Sequence, residues 1–153
     1  IFRSGGIVAG TSAGASVMSA TMLVGAVHDK THNIGAALRL APGLGLVKDM
    51  IIDQHFSERG RIGRLLGAVA QNPRMLGVGI DENTAIIVEA GKYFQVLGAG
   101  AVYVLDGHNQ TYTNISEEAA ERTLSVFNLR LHILSQPDRF DLLQREPVAN
   151  SAE

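Results

Sequence analysis

Between residues 62 and 71 the apolar positions Ile62, Leu65, Leu66 and Val69 fall at i, i+3, i+4 and i+7. That spacing puts all four on one face of a helix, and Asn72-Pro73 closes it. Short apolar runs that end in polar or Gly-containing turns predict buried strands at Gly6 to Ala9, Met50 to Asp53 and Leu76 to Ile80. Ala15 to Met22 reads as helical. Gly25 to Pro42 is polar and irregular and reads as a surface loop with a weak helical patch near Ala36 to Leu40. From Thr84 the pattern shortens to strands at Ala85 to Glu89, Tyr93 to Leu97 and Val102 to Leu105. The breaks Ala90-Gly91-Lys92 and Gly98-Ala99-Gly100 look like hairpin turns. Phe127, Leu129, Leu131 and Ile133 alternate with Asn128, Arg130 and His132, which predicts a strand burying its apolar side. The tail from Gln136 is polar, and no internal repeat is visible.

Strands mixed with helices, each strand ending in a polar cluster, argue for an α/β fold. In open α/β sheets functional groups gather beyond the carboxyl ends of the strands. Three such ends here carry Ser12, His55 and Asp81-Glu82. Composition narrows the chemistry. The 153 residues suffice for one core and include no cysteine, so thiolate catalysis, disulfides and cysteine-ligated zinc are excluded. A net charge of -2 gives no basic field that would draw nucleic acid. No apolar run reaches the roughly 18 residues of a membrane span. The chain opens without Met, almost directly on a strand and a catalytic-looking turn. It is therefore expected to be a piece of a longer protein.

Gly10-Thr11-Ser12-Ala13-Gly14 matches G-x-S-x-G between a strand and a helix. A nucleophilic Ser needs a sharp turn that lifts its hydroxyl clear of the sheet. Flanking glycines relieve crowding there, and the next N–H, that of Ala13, can hold a developing oxyanion. The bland reading is Ser12 as a helix cap. Ser16 and Ser19 would lie inside the helix, and Ser4 precedes the strand.

Five His residues compete as base. His28 and His32 have the four-residue spacing of a metal pair but lie in the loop-like stretch without an evident third ligand. His108 follows Asp106-Gly107 in a turn, and His132 belongs to the polar side of the late strand. His55 alone ends a strand. An orienting carboxylate would come from Asp81, Glu82 or Asp53, and spacing does not choose among them. The order Ser, His, acid differs from the Ser, acid, His order of α/β-hydrolases.

The blocks Gly10 to Ala15, Asp53-Gln54-His55-Phe56, Arg59 to Leu65 and Gly79 to Ala85 together resemble the cyanophycinase family, a serine peptidase group that also includes aspartyl dipeptidases. The likeness extends through Asn128 to Ser135 and Asp138-Arg139-Phe140-Asp141. It implies the C-terminal part of a class I glutamine amidotransferase-like, flavodoxin-like three-layer sandwich with a mostly parallel sheet and added hairpins. It also implies a triad of Ser12, His55 and Glu82, with neither metal nor cofactor. The implied substrate is cyanophycin, a poly-aspartate whose side-chain carboxyls carry arginine, cut to β-Asp-Arg dipeptides. Such a polymer presents carboxylates and guanidinium groups. Arg59, Arg61 and Arg64 would suit the former; Asp53 and Gln54 would accept from the latter. The family carries about as much chain again ahead of the Ser turn, supplying further strands and a second oxyanion donor. Residues 1–153 are thus expected to form a single partial catalytic domain. Alternatives are an aspartyl dipeptidase acting on Asp-X peptides, or an inactive fragment with a binding role. The resemblance further suggests a cytoplasmic protein, homodimeric in its full-length form.

Overall fold

A computed structural model describes residues 2–24, 38–89, 91–116 and 122–148. A 3-10 turn at Phe2–Ser4 precedes α1 (Ala13–Ser16), β1 (Thr21–Val24), β2 (Arg39–Pro42), β3 (Met50–Gln54) and α2 (Ile62–Gln71). There follow β4 (Leu76–Ile80), β5 (Thr84–Glu89), β6 (Tyr93–Gly98), β7 (Val102–Asp106) and β8 (Tyr112–Thr113). The chain continues with β9 (Val126–Phe127), β10 (Arg130–Leu134), β11 (Arg139–Asp141) and β12 (Glu146–Val148).

The α/β class expected from the sequence holds. The central sheet runs β10-β7-β4-β3, and a second sheet runs β12-β11-β6-β5. The mostly parallel sheet that the resemblance implies is not what the described strands form: their ladders are mostly antiparallel, because β7 and β10 and the second sheet are built from antiparallel pairs. The parallel one is β3 with β4, the pair whose carboxyl ends lead to His55 and Glu82.

Two apolar clusters hold the layers together. Met50, Ile52, Leu76, Val78, Ile80, Val102 and Val104 of the central sheet pack against Phe94, Val96 and Phe140 of the second sheet. On the opposite face Ile51 and Leu105 meet Leu65, Ala68 and Val69 of α2, together with Phe56. The residues of β4 that face α2 are glycines. A Cβ on Gly77 would sit 2.6 Å from Val69, and one on Gly79 would sit 2.5 Å from the Phe56 ring. Their bare backbone lets helix and ring lie directly on the sheet. Because Phe56 follows His55, this contact also sets where the His55 turn rests. Gly79→Ala should therefore cost about 1–3 kcal/mol of stability through overpacking. It should also lower activity by shifting that turn. Urea unfolding and turnover of the variant check both effects.

Asp106 ends β7 in a buried position. Burial opposes its ionisation, but Arg145 hydrogen bonds at 3.0 and 2.6 Å, the His108 N–H at 2.8 Å and the Arg145 charge outweigh it. Its carboxyl is held below the ordinary carboxylate value. This bond ties the β7 end to the segment between β11 and β12.

Several local expectations are corrected. Gly6 to Ala9 forms no strand, and Ile7 and Val8 are exposed. The helix expected over Ala15 to Met22 is the single turn α1, and Thr21 and Met22 instead pair with Pro42 and Ala41 in β1–β2. Of the loop over Gly25 to Pro42, residues 25–37 lie outside the described set. Arg39 and Leu40 are strand, not helix. Gly91-Lys92 does lie in the turn of a hairpin, β5–β6, while Ala90 lies outside the described residues. Gly98-Ala99-Gly100 does not: it carries the chain from the second sheet back to the central one. The late strand breaks into β9 and β10, and its faces are inverted. Leu131 and Ile133 are exposed, while His132 approaches Phe140 and Leu134 is buried. α2 packs on β4 and β7, and edge strand β10 turns its Leu131 and Ile133 toward that side without cover. The polar tail also contributes β11 and β12, with Phe140 at the centre of the core. No helix among the described residues is long and apolar enough to cross a membrane.

Candidate active site

Ser12 lies between the uncovered segment Gly6 to Gly10 and α1, with φ of 53° and ψ of -125°. A non-glycine residue in this region is strained, and the surroundings must hold it there. Gly10 makes the turn possible, because a Cβ on it would lie 2.4 Å from the Gly14 carbonyl oxygen. Around Gly14 there is open space, so only the first glycine relieves crowding. The turn closes through Gly14 N–H to Thr11 O at 2.9 Å and Ala15 N–H to Ser12 O at 2.9 Å. The Ser12 hydroxyl does not cap α1; it lies 3.0 Å from Nε2 of His55. The Ala13 N–H makes no hydrogen bond to another described residue. With only one helical turn behind it, the macrodipole adds little to that N–H.

β3 delivers His55 just past its last residue, and the chain turns there with a φ of 48°. Phe56 N–H continues the parallel ladder by donating to Ile80 O at 3.2 Å. Arg59 N–H to His55 O and Arg61 N–H to Phe56 O then coil the chain into α2. His55 Nδ1 meets Glu82 Oε1 at 2.8 Å, with the two side chains 26% and 48% exposed. Ser12, His55 and Glu82 thus form one hydrogen-bonded chain at the surface. It can move a proton from a serine hydroxyl to an imidazole whose tautomer the carboxylate fixes. N–H and O–H positions follow from these partners.

The other two carboxylates considered as orienters are committed elsewhere. Asp81 Oδ1 accepts from Ser57 N–H at 2.9 Å and Oδ2 from Ala101 N–H at 3.2 Å. Asp53 is fully buried and receives both prongs of Arg64, through Nε at 2.6 Å and through a terminal nitrogen. It also accepts Gln54 N–H at 2.8 Å and lies 3.4 Å from Arg61. The Arg61 and Arg64 side chains are only 13% and 10% exposed. Asp53, Arg61 and Arg64 therefore bind one another between β3 and α2. Arg59 stays on the surface beside His55. The Gln54 side-chain oxygen is buried without a partner among the described residues.

The remaining candidates stand apart. Ser19 is buried and accepts Ile52 N–H at 3.3 Å, and Ser16 is buried in α1. His108 is a turn residue and His132 packs beside Phe140. His28 and His32 lie outside the described residues.

Residues 1–96 match the model of peptidase family S51. The chain belongs to that family. All the site residues fall within the matched span. A cyanophycinase of Trichormus variabilis is 49% identical over 138 residues, 90% of this chain and 46% of its own length. One from Geminocystis herdmanii is 42% identical, covering 94% of this chain and 53% of its own. One from Synechococcus elongatus is 40% identical, with 93% and 44% covered. The S51 chain described here thus spans about half the length of the curated relatives it matches. A crystal structure of a peptidase from an acI-B1 Actinobacterium aligns with a TM-score of 0.45 at 21% identity, over 79% of this chain and 43% of that one.

Proposed function

We propose that this S51 chain carries the catalytic triad of a serine-type exopeptidase that degrades cyanophycin to β-Asp-Arg dipeptides. The observation that carries the proposal is the continuous chain from Ser12 Oγ through His55 to Glu82, at 3.0 and 2.8 Å, on a strained turn. The relatives' shared name supports the substrate.

In this reading His55 Nε2 takes the Ser12 proton while Oγ attacks a main-chain carbonyl carbon of the polymer. The carbonyl oxygen gains charge and meets the free Ala13 N–H. The C–N bond then breaks, the amine departs with the proton from His55, and an acyl ester remains on Ser12. Water, deprotonated by His55, hydrolyses that ester. Glu82 keeps Nδ1 protonated and balances the imidazolium. Arg59, exposed next to His55, suits a substrate carboxylate, and Gln54 is positioned at the same strand end. Asp53, Arg61 and Arg64 act as an internal brace beneath them.

The test is mass spectrometry of products after the intact protein meets purified cyanophycin, with a panel of Asp-X dipeptides alongside. Release of β-Asp-Arg from the polymer, absent in Ser12→Ala, is the expected result. Cleavage of the dipeptides with the polymer untouched would replace the substrate and keep the chemistry. No cleavage of either by folded protein would leave a binding role.

A further inference from the structure

His55 and Glu82 sit on two separate turns, one after β3 and one after β4, and both side chains are partly exposed. A glutamate has three side-chain torsions, and an exposed side-chain contact alone holds little. Something must fix the two main chains relative to each other if the 2.8 Å contact is to persist. The two turns supply it by exchanging hydrogen bonds. Ser57 N–H donates to Asp81 Oδ1 at 2.9 Å, and in return Glu82 N–H donates to Glu58 Oε1 at 3.0 Å. Each turn gives one main-chain donor and one carboxylate, as in a capping box. Glu82 is also gripped from its other side. Its carbonyl accepts from the Thr84 hydroxyl at 3.0 Å, and that hydroxyl oxygen in turn accepts from Gly100 N–H at 2.9 Å.

We propose that Glu58 is a positioning residue: its carboxylate latches the main chain of Glu82 and so keeps the orienting carboxylate within reach of His55. This rests on the triad reading above. Asp81 performs the reciprocal half, but it also ties Ala101 to the same point, so its loss would disturb the link between the sheets as well. Glu58 bonds through one exposed oxygen, and its removal isolates the latch. The role needs an acceptor, not a charge. Glutamine in its place keeps an amide oxygen at the same reach.

The experiment compares Glu58→Ala and Glu58→Gln in the intact protein, by steady-state kinetics and by the low-field proton NMR signal of His55 Nδ1–H. Glu58→Ala should lower kcat roughly 10- to 100-fold at nearly constant KM, the scale of a misplaced catalytic group. The His55 signal should weaken or shift with it. Glu58→Gln should restore both to near the parent values. Unchanged kcat and signal in Glu58→Ala would overturn the proposal. So would a Glu58→Gln as impaired as Glu58→Ala, which would mean that the charge matters. A raised KM with intact kcat would instead make Glu58 a substrate contact and overturn it too. The NMR signal needs no substrate. It therefore reports on the latch even if Ser12→Ala retained full turnover, which would sink the triad reading on its own.

Discussion

Ser12→Ala and His55→Ala should each lower kcat by roughly 10⁶-fold, and the double variant should be little worse than either. The reason is structural. Ser12 Oγ and His55 Nε2 share one hydrogen bond. Without His55 the hydroxyl keeps its proton, and without Ser12 the imidazole has nothing to activate. The two losses therefore overlap instead of adding. Glu82→Gln leaves the shape intact but can present a donor to Nδ1, which favours the wrong tautomer. It should cost about 10⁴-fold. Folding should be unaffected in all of them, because Ser12 and Glu82 are exposed and the partly exposed His55 ring bonds to those two side chains. Turnover per folded molecule, with circular dichroism as the folding control, checks the series. A strictly additive double variant would show that the residues do not act as a unit.

Asp53→Ala should destabilise the protein by about 3–5 kcal/mol, the cost of stripping the partner from buried charges. Two guanidinium groups that are almost wholly covered share this one carboxylate. Removing it takes the shared carboxylate away from the positive charge at the β3–α2 junction, next to the His55 turn. The alternative, that Asp53 accepts from a substrate guanidinium, predicts the reverse pattern: raised KM and unchanged stability. Urea denaturation together with KM for an arginine-bearing substrate separates the two. Replacing Asp53, Arg61 and Arg64 jointly by apolar residues of similar volume should cost far less than Asp53→Ala alone, because the whole charged group is then removed together.

The sequence made some of this site readable and hid the rest. α2 was visible because its apolar face keeps a 3.6-residue period over ten residues. β3 and β4 were visible because both lie within the core and read as apolar runs. The Ser12 turn announced itself through glycine spacing, although only Gly10 proves to be sterically required. The faces of β10 were misread because period-two alternation says which residues share a side, not which side is covered. Gly98-Ala99-Gly100 looked like a hairpin because glycine marks a turn without saying which sheet follows. Gly98 has a φ of 115°, and a Cβ there would lie 2.1 Å from Asn83 O, so the glycine serves the approach of the two inter-sheet links. Arg61 and Arg64 looked suited to substrate carboxylates because their partner, Asp53, lies on another element. Glu58 carried no motif, and Asp81 was visible only as a rival orienter. Their signal was that two adjacent strand ends each place a carboxylate within three residues of a site residue, and only the parallel register of β3 and β4 turns that into a contact.

The most direct test of the Ser12–His55 pair is peptide mapping after the intact, folded protein meets a serine-directed phosphonate. A single adduct is expected, on Ser12, forming quickly in the parent and at least a hundredfold more slowly in His55→Ala, since general-base help is worth roughly 10²–10⁴. An adduct on another serine, or equal labelling of Ser12 with and without His55, would contradict it.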